Sequence, residues 1–309
     1  MEQLIKSTAA YSVLTGDKSC NRLSHAYMLD FSDAKNLKDA LRIFALAFFG
    51  LDKNSVDGKR LLNGSLPDCV FYPAEGKKLT ADAVNEIINE SAMRPIEKPF
   101  KLFVVSSFEQ ASPLLQNKLL KTLEEPPAGV HFLLGATTLA PVLDTVKSRV
   151  KTLTVAPFSR EEIFAALERG GANPLNTEAA KSCGGILGEA QNMVGGGWFG
   201  EVISAAREIC TVTEVGDIGA VAVRHGDIKY KSELLKRIQQ NYYEALCAKV
   251  NGEENEISAK WTEPALIYAL ESADKAGSDL KFNAFFQGLL YDYMLRVIEE
   301  NVKWLKLQA

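Results

Sequence analysis

Few side chains in this sequence stand at spacings that support catalysis or metal binding. The three histidines, His25, His131 and His225, have no second ligand at the short spacing of a metal site. The five cysteines are scattered, odd in number and contain no C-x-x-C pair, which favours free thiols in a reducing cytoplasm over a disulfide framework or a zinc site. Ser148 has no histidine nearby in sequence to act as its base, so we interpret it as a turn residue. The residues themselves predict neither a metal ion nor a nucleophilic centre.

The elements that would position other polar groups are clearest in the middle of the chain. Leu102–Val105 has the length and β-branched content of a buried parallel strand. A Ser-Pro pair at 112–113 starts a predicted helix with leucine at every fourth position, and the prolines at 126–127 end it. Two further strands are predicted at Phe132–Leu134 and Leu153–Val155. Such a unit is α/β, and its ligands bind at the carboxyl ends of the strands.

Length and composition limit the classes of protein. A chain of 309 residues predicts two or three domains, and 47% hydrophobic with 24% charged residues is typical of a globular protein. The formal net charge of −4 gives no general attraction to nucleic acid. No run reaches the length of a membrane span and the first residues do not form a secretory signal, so we expect a cytoplasmic protein.

One segment carries a family resemblance. LLKTLEEPP at residues 119–127 is followed by a predicted strand that ends in ATT at 136–138, and then by Ser148-Arg149 before the next strand. This pattern resembles the clamp-loader branch of the AAA+ fold, in particular the gamma/tau and delta prime subunits of bacterial DNA polymerase III. The resemblance implies an α/β plus all-α protein with three domains. They are a parallel α/β base at residues 1–156, a small helical lid at 157–207 and a helical collar at 208–309.

In the resembling family, the strand that here contains His25 leads into a phosphate-binding loop. Such a loop needs glycines whose N–H groups surround the phosphates, a lysine for the β and γ oxygens, and a hydroxyl for magnesium. Residues 30–39 contain no glycine, and Leu37 stands at the lysine position. Without the glycines, Lys35 and Lys38 are interpreted as solvated charges. The other degenerate positions of the loop are Phe31, Ala34 and Asn36. We therefore expect no nucleotide cofactor.

Two further positions of the ATP site are altered. In ATPases of this type the strand corresponding to Leu102–Val105 ends in an acidic pair that holds magnesium and orients water. Here Ser106 and Ser107 follow the strand and Glu109 comes two residues later, and serine lacks the negative charge that a hard cation needs. Gly188 stands where the resemblance places a nucleotide-sensing arginine. Thr137 and Thr138, at the sensor position, are interpreted as turn residues.

The resemblance assigns a role to Arg149. In the family, this arginine projects into the ATP site of the adjacent subunit, where it stabilises charge on the transferring phosphoryl group as an arginine finger in trans. Ser148 would position the finger. The family usually has cysteine at the next position, and this chain has Val150. The alternative interpretation of Arg149 is a surface ion pair.

The prediction is a catalytically silent, delta prime-like clamp-loader subunit. It would be no enzyme by itself, but an accessory subunit of a DNA polymerase (nucleotidyltransferase) holoenzyme. Its expected partners are gamma/tau and delta subunits, and the sliding clamp and primed DNA through the assembled complex, with no membrane. Three alternatives stay open: a divergent gamma/tau-type ATPase, a delta-type subunit that grips the clamp, and an AAA+-derived adaptor unrelated to replication.

Overall fold

A computed structural model describes residues 1–74, 77–280 and 285–308. The chain divides into two compact units, Met1–Asn192 and Met193–Ala309. The first unit contains five strands: β1 (Ala26–Asp30), β2 (Cys69–Tyr72), β3 (Lys101–Val105), β4 (Val130–Ala136) and β5 (Lys151–Thr154). They form one parallel sheet in the order β2–β3–β4–β1–β5. The parallel α/β part of the predicted fold class is therefore confirmed.

Ten α-helices begin among the described residues of the first unit. They are α1 (Glu2–Lys6), α2 (Ala9–Ser19), α3 (Leu37–Phe49), α4 (Val56–Leu62), α5 (Ala81–Ser91), α6 (Pro113–Glu124), α7 (Asp144–Lys147), α8 (Arg160–Gly170), α9 (Asn176–Ser182) and α10 (Leu187–Gly195). Polar caps start helices α5 and α8. Thr80 caps α5, and Ser159 with Glu162, an S-x-x-E pattern that predicts a capping box, forms that box at the start of α8.

Helix α6 shows how the sequence builds the layer beside the sheet. Pro113 occupies its first turn, and the prolines after Glu125 prevent its extension. Leu119 and Leu123 are buried in one cluster with residues of α5 and of strands β3 and β4. In the same cluster the rings of Phe103 and Phe132 stack with centroids 5.5 Å apart. Burial of this apolar stripe holds α6, and the turn after it, against the sheet.

One sequence prediction in this unit is wrong. The polar stretch Thr15–Asn21 is predicted as a loop, yet helix α2 continues to Ser19. The helix is stabilised at its start, where the Thr8 hydroxyl accepts the N–H of Tyr11. The hydroxyl groups of Thr15 and Ser19 donate to carbonyls of the preceding turn, so these polar side chains are accommodated within the helix.

The second unit is helical where the structure describes it. Its helices are α11 (Trp198–Thr211), α12 (Val215–Gly226), α13 (Lys231–Val250), α14 (Glu263–Leu280) and α15 (Phe286–Gln308). The amphipathic sequence segments 233–250, 262–276 and 282–307 predict three long helices. The structure confirms all three, although the predicted start at Phe282 lies outside the described residues. Helix α11 continues through the predicted boundary at 207/208, and the three-domain division stays a prediction. None of the helices in the described ranges combines the length and hydropathy needed to cross a bilayer.

Asp68, just before β2, organises the backbone that leads from α5 to β3. Its carboxylate is fully buried and accepts the N–H groups of Ile96, Glu97 and Lys98, each at 2.7 Å. Because hydrogen bonds to a buried charge are strong, and their loss leaves three N–H groups unpaired, we expect Asp68→Ala to lower the free energy of unfolding by about 3 kcal/mol. Urea denaturation of the full chain measures this change.

Asp144→Ala is the matched control for Asp68→Ala. The side chain of Asp144 is 98% exposed and makes a surface ion pair with Lys147. Removal of such a pair changes stability by about 0.5 kcal/mol or less. Equal effects of the two substitutions would contradict the structural role of Asp68.

His131 on β4 predicts a pH dependence of stability. Its Nδ1 lies 2.8 Å from the carbonyl oxygen of Ser24, and its ring packs against Phe48 and Phe100. Burial lowers the pKa of His131 below its usual 6.5, and the nearby His25 lowers it further, whereas the hydrogen bond to Ser24 opposes the shift. The unfolded chain therefore binds a proton more readily, so stability falls as pH drops below about 6.5, by at most about 1.4 kcal/mol per pH unit.

The substitution His131→Gln removes this titration and retains an N–H donor for the Ser24 carbonyl. We expect its free energy of unfolding to fall less between about pH 7.5 and pH 5.5 than that of the unsubstituted chain. Urea titrations at the two pH values test this. Equal losses in both proteins would show that His131 does not contribute.

Candidate functional site

The turn between β1 and α3 occupies the position predicted for a degenerate phosphate loop. Phe31 is 3% exposed and its ring meets that of Phe158, with centroids 6.3 Å apart. Leu37 begins α3 and is 1% exposed, so an apolar side chain fills the position predicted for the phosphate-binding lysine. Ala34 is exposed. These residues offer no positive charge to a phosphate.

Asp33 lies inside this turn and is 1% exposed. Its Oδ1 accepts the backbone N–H of Asn36 at 3.1 Å, and its Oδ2 accepts the side-chain amide of Asn36 at 2.8 Å. Oδ2 also accepts the backbone N–H of Gly188 at 2.8 Å. A carboxylate of the chain therefore binds a backbone N–H of the loop and one of α10, the kind of donor that a phosphate loop presents to a nucleotide.

Gly188 lies against the loop because it has no side chain. A Cβ atom at this position would stand 2.3 Å from Asp33 Oδ1 and 2.8 Å from the Cβ of Lys35. Two other residues of α10, Gln191 and Asn192, also contact the loop. Lys35 Nζ donates to Asn192 at 2.8 Å, and the Asn36 amide donates to Gln191 at 3.4 Å. The structure thus brings Gly188, where the resemblance places a nucleotide-sensing arginine, next to the loop that follows β1.

The predicted acidic-pair position lies at the carboxyl end of β3. Ser106 is buried, and its N–H and hydroxyl donate to the carbonyl of Tyr72 at 2.8 and 3.3 Å. Ser107 has a left-handed backbone with φ of 53°. Glu109 accepts the hydroxyl of Thr137 at 2.9 Å, and its other oxygen has no hydrogen-bond partner among the residues that the structure describes. The acid near the sensor position is therefore Glu109, two residues beyond the predicted pair.

Ser148 and Arg149 lie just before β5, at the amino end of the sheet. Arg149 donates from Nη1 to the carbonyl of Thr145 at 2.9 Å and to the Ser148 hydroxyl at 3.3 Å, and from Nη2 to Glu124 Oε1 at 3.1 Å. The Arg149 side chain is 31% exposed and that of Glu124 is 55% exposed. Arg149 is thus paired within the chain, at the surface, with a glutamate of the LLKTLEEPP segment.

The sheet direction separates Arg149 from the loop of its own chain. Nε2 of His25, before β1, lies 3.1 Å from the Arg149 carbonyl, whereas the loop begins after Asp30 at the other end of β1. Five residues of strand span roughly 16 Å. Arg149 therefore lies at the amino end of the parallel strands, and the loop lies at their carboxyl end.

Gln116 supports the segment that leads to Arg149 and was missed in the sequence. It is fully buried on α6, donates to the carbonyls of Ala111 and Pro141 at 2.9 and 3.1 Å, and accepts the N–H of Leu143 at 2.9 Å. Its position in the sequence, one helical turn before Leu119 and on the same face as Leu123, could have indicated that it is buried. Asp33 was also missed, because its burial depends on α10, which is distant in sequence.

Two observations concern metal ligands and the cavity beside the predicted acidic-pair position. Across residues 1–74, 77–280 and 285–308, no three His, Cys, Asp or Glu side chains stand close enough to hold one ion. A cavity of about 90 Å³ opens beside Ser106, with Lys38, Arg42 and Tyr72 among its lining residues. This is smaller than the roughly 300–1,000 Å³ of ligand pockets.

The parallel sheet of the first unit and the helices around it fit the α/β part of the predicted fold class. A family model described as "DNA polymerase III, delta subunit" matches residues 6–159. The delta' subunit of Bacillus subtilis is 28% identical over 160 residues, which are 50% of this chain and 49% of that protein. The delta' subunit of Yersinia pestis is 32% identical over 46% of this chain and 44% of its own length. The chain is a member of the DNA polymerase III clamp-loader family.

The relatives include gamma as well as delta' subunits. A gamma subunit of Buchnera aphidicola is 31% identical over 32% of this chain and 28% of that protein. The matches span about half or less of these curated relatives. Among solved structures, a gamma subunit-related protein from Thermotoga maritima aligns over 93% of this chain and 99% of its own, with 16% identity and a TM-score of 0.42.

Proposed function

We propose that this chain is a delta prime-like clamp-loader subunit that does not hydrolyse ATP itself and supplies Arg149 to the ATP site of a neighbouring subunit. The observation that carries this proposal is the position of Arg149. Its guanidinium is partly exposed, and Arg149 lies at the amino end of the strands. Its own loop follows the carboxyl end of β1, a strand that spans roughly 16 Å, so Arg149 cannot serve that loop. An arginine so placed can act on a phosphate held by another chain.

The composition of the loop supports the proposal that this chain does not hydrolyse ATP at its own site. Asp33 already accepts the backbone N–H groups of Asn36 in the loop and Gly188 in α10, and its negative charge would repel a triphosphate. Leu37 and Ser106 supply neither the ammonium group nor the magnesium ligand of an ATPase. Restoring ATP hydrolysis at this site would require substitutions at several of these positions together.

The ion pair with Glu124 does not prevent Arg149 from acting in trans. Exposed ion pairs contribute about 1 kcal/mol or less, because water screens both charges and the side chains lose freedom. A γ-phosphate carries more negative charge than a carboxylate and accepts a bidentate guanidinium. The guanidinium would leave Glu124 when a neighbouring subunit presents its triphosphate.

The partners in this proposal are gamma/tau and delta subunits, with the sliding clamp and primed DNA reached through the complex. The test has two parts. The isolated chain, titrated with magnesium and a fluorescent ATP analogue at up to millimolar concentration, should show no saturable binding, while an isolated gamma/tau subunit binds. Mixed with gamma/tau and delta, the chain should elute in their complex. Saturable ATP binding would favour a divergent gamma/tau-type ATPase, and failure to join the complex would favour an unrelated adaptor.

A delta-type subunit is the second candidate, and one observation favours it. Met93 and Ile96 are 61% and 75% exposed between α5 and β3, where Asp68 fixes the backbone of Ile96. A subunit that grips the clamp needs an exposed apolar tip of this kind in its N-terminal domain. Retention of the purified clamp by the isolated chain would support this candidate, and its absence would leave the delta prime-like function.

A further inference from the structure

Asp33 is the most completely buried carboxylate of the loop region, and the proposed arginine finger does not require it. It is 1% exposed, yet no cation contacts it in the hydrogen bonds that the structure shows. Its partners are the backbone N–H and the amide of Asn36 and the backbone N–H of Gly188. Burial of a carboxylate is costly unless such donors replace water, so the three contacts must be formed together.

The Gly188 contact joins two elements that are 155 residues apart in sequence. Gly188 lies in the first turn of α10, a helix of nine residues, where N–H groups are free of helical partners and the helix dipole favours negative charge. A loop N–H and a helix N-terminus are also the donors that bind phosphate oxygens in proteins. Asp33 therefore presents to them the charge and the acceptor atoms that a phosphate would bring.

Other contacts of the loop follow the same face of α10. Gly188, Gln191 and Asn192 are spaced at i, i+3 and i+4, and they meet Asp33, Asn36 and Lys35 respectively. The approach is close, since a Cβ at position 188 would stand 2.3 Å from Asp33 Oδ1. The helix and the loop are thus fitted to each other around the carboxylate.

We propose that Asp33 is an internal anion that takes the place of a bound phosphate and holds α10 closed on the loop without nucleotide. Closure of this junction then depends on a residue of the chain and not on ATP. Removing the carboxylate would leave a small site with unpaired donors, which a free carboxylate ion could enter. These contacts lie within the chain and do not depend on what Arg149 does in an assembly.

The test is amide hydrogen exchange of the full chain, measured in Asp33→Ala with formate as the probe. Loss of the carboxylate should raise the exchange rate of the Gly188 amide by at least about tenfold, while the amides of β3 change little. Sodium formate should restore most of the protection, and sodium chloride of equal ionic strength should not. Unchanged exchange at Gly188, or a rise that formate and chloride affect equally, would overturn the proposal.

Asp33→Asn is the matched variant. It keeps the size of the side chain but has only one acceptor oxygen, so it cannot accept the backbone N–H groups of both Asn36 and Gly188, and exchange of at least one of these amides should rise. Formate should not restore the lost protection, because the amide fills the space. This variant carries the test alone if Asp33→Ala does not fold. Wild-type protection of both Asn36 and Gly188 in Asp33→Asn, or recovery of the lost protection with formate, would contradict an internal anion at this position.

Discussion

Replacing Arg149 with alanine is expected to lower ATP hydrolysis at the neighbouring site of the assembled loader by about a thousandfold, because an arginine finger contributes at least that much to phosphoryl transfer. The side chain lies at the surface, so its removal leaves the core intact. Single-turnover hydrolysis with primed DNA and clamp measures the rate at that site. Gel filtration of the same sample checks that the complex has formed.

The Glu124→Gln variant is the matched control for Arg149→Ala. It removes the intrachain partner of the guanidinium but leaves the guanidinium itself available. We expect at least the unsubstituted rate, since the ion pair is worth about 1 kcal/mol or less and competes with the phosphate. An equal loss of hydrolysis in both variants would mean that the ion pair, and not the finger, matters.

Arg149→Lys separates charge from geometry at the same position. Lysine keeps the positive charge but loses the planar fork that binds two phosphate oxygens. We expect a rate closer to that of Arg149→Ala than to that of the unsubstituted chain. Full activity in Arg149→Lys would show that a positive charge alone is sufficient there.

Replacing Gly188 with alanine is expected to lower the free energy of unfolding by about 3 kcal/mol. The added Cβ would stand 2.3 Å from Asp33 Oδ1, so α10 must move and its hydrogen bond to the carboxylate must lengthen. Overpacking costs about 1–3 kcal/mol, and a weakened bond to a buried charge adds to that cost. Urea denaturation, followed together with amide exchange along α10, measures the effect and locates it.

Gly195→Ala provides the control on the same helix. Apart from its chain neighbours and the backbone of its own helix, no atom of the described residues lies within 4 Å of a Cβ built at Gly195. Alanine favours the helix over glycine, so this variant should be neutral or more stable by up to about 1 kcal/mol. Equal destabilisation by the two substitutions would show that the helix tolerates no change, and that the contact with Asp33 is not the cause.

Much of the α/β unit follows from local signals in the sequence. The buried strands are short apolar runs, and the Ser-Pro pair at 112–113 and the prolines at 126–127 mark the limits of α6. These signals act within a few residues, so they can be read without knowledge of the fold. The polar stretch 15–21 is wrongly predicted as a loop because only its local composition can be read from the sequence. Its helix depends on the cap at Thr8 and on burial of Leu14, not on its own composition.

The details of the site depend on contacts between distant residues. The pairing of Arg149 with Glu124 spans 25 positions, and that of Asp33 with Gly188 spans 155. The sequence shows that residues 30–39 lack glycine, and the family resemblance predicts an arginine at the position of Gly188. It does not show that these two changes meet in space, because this depends on how α10 packs on the loop.

The most direct test of the account is a structure of the assembled loader with ADP and aluminium fluoride, which mimics the transferring phosphoryl group. We predict the Arg149 guanidinium at about 3 Å from the fluoride of a neighbouring subunit, with no nucleotide at the Asp33 loop. Nucleotide bound between Phe31 and Leu37, or Arg149 still paired with Glu124 at every ring position, would contradict a silent subunit that acts in trans.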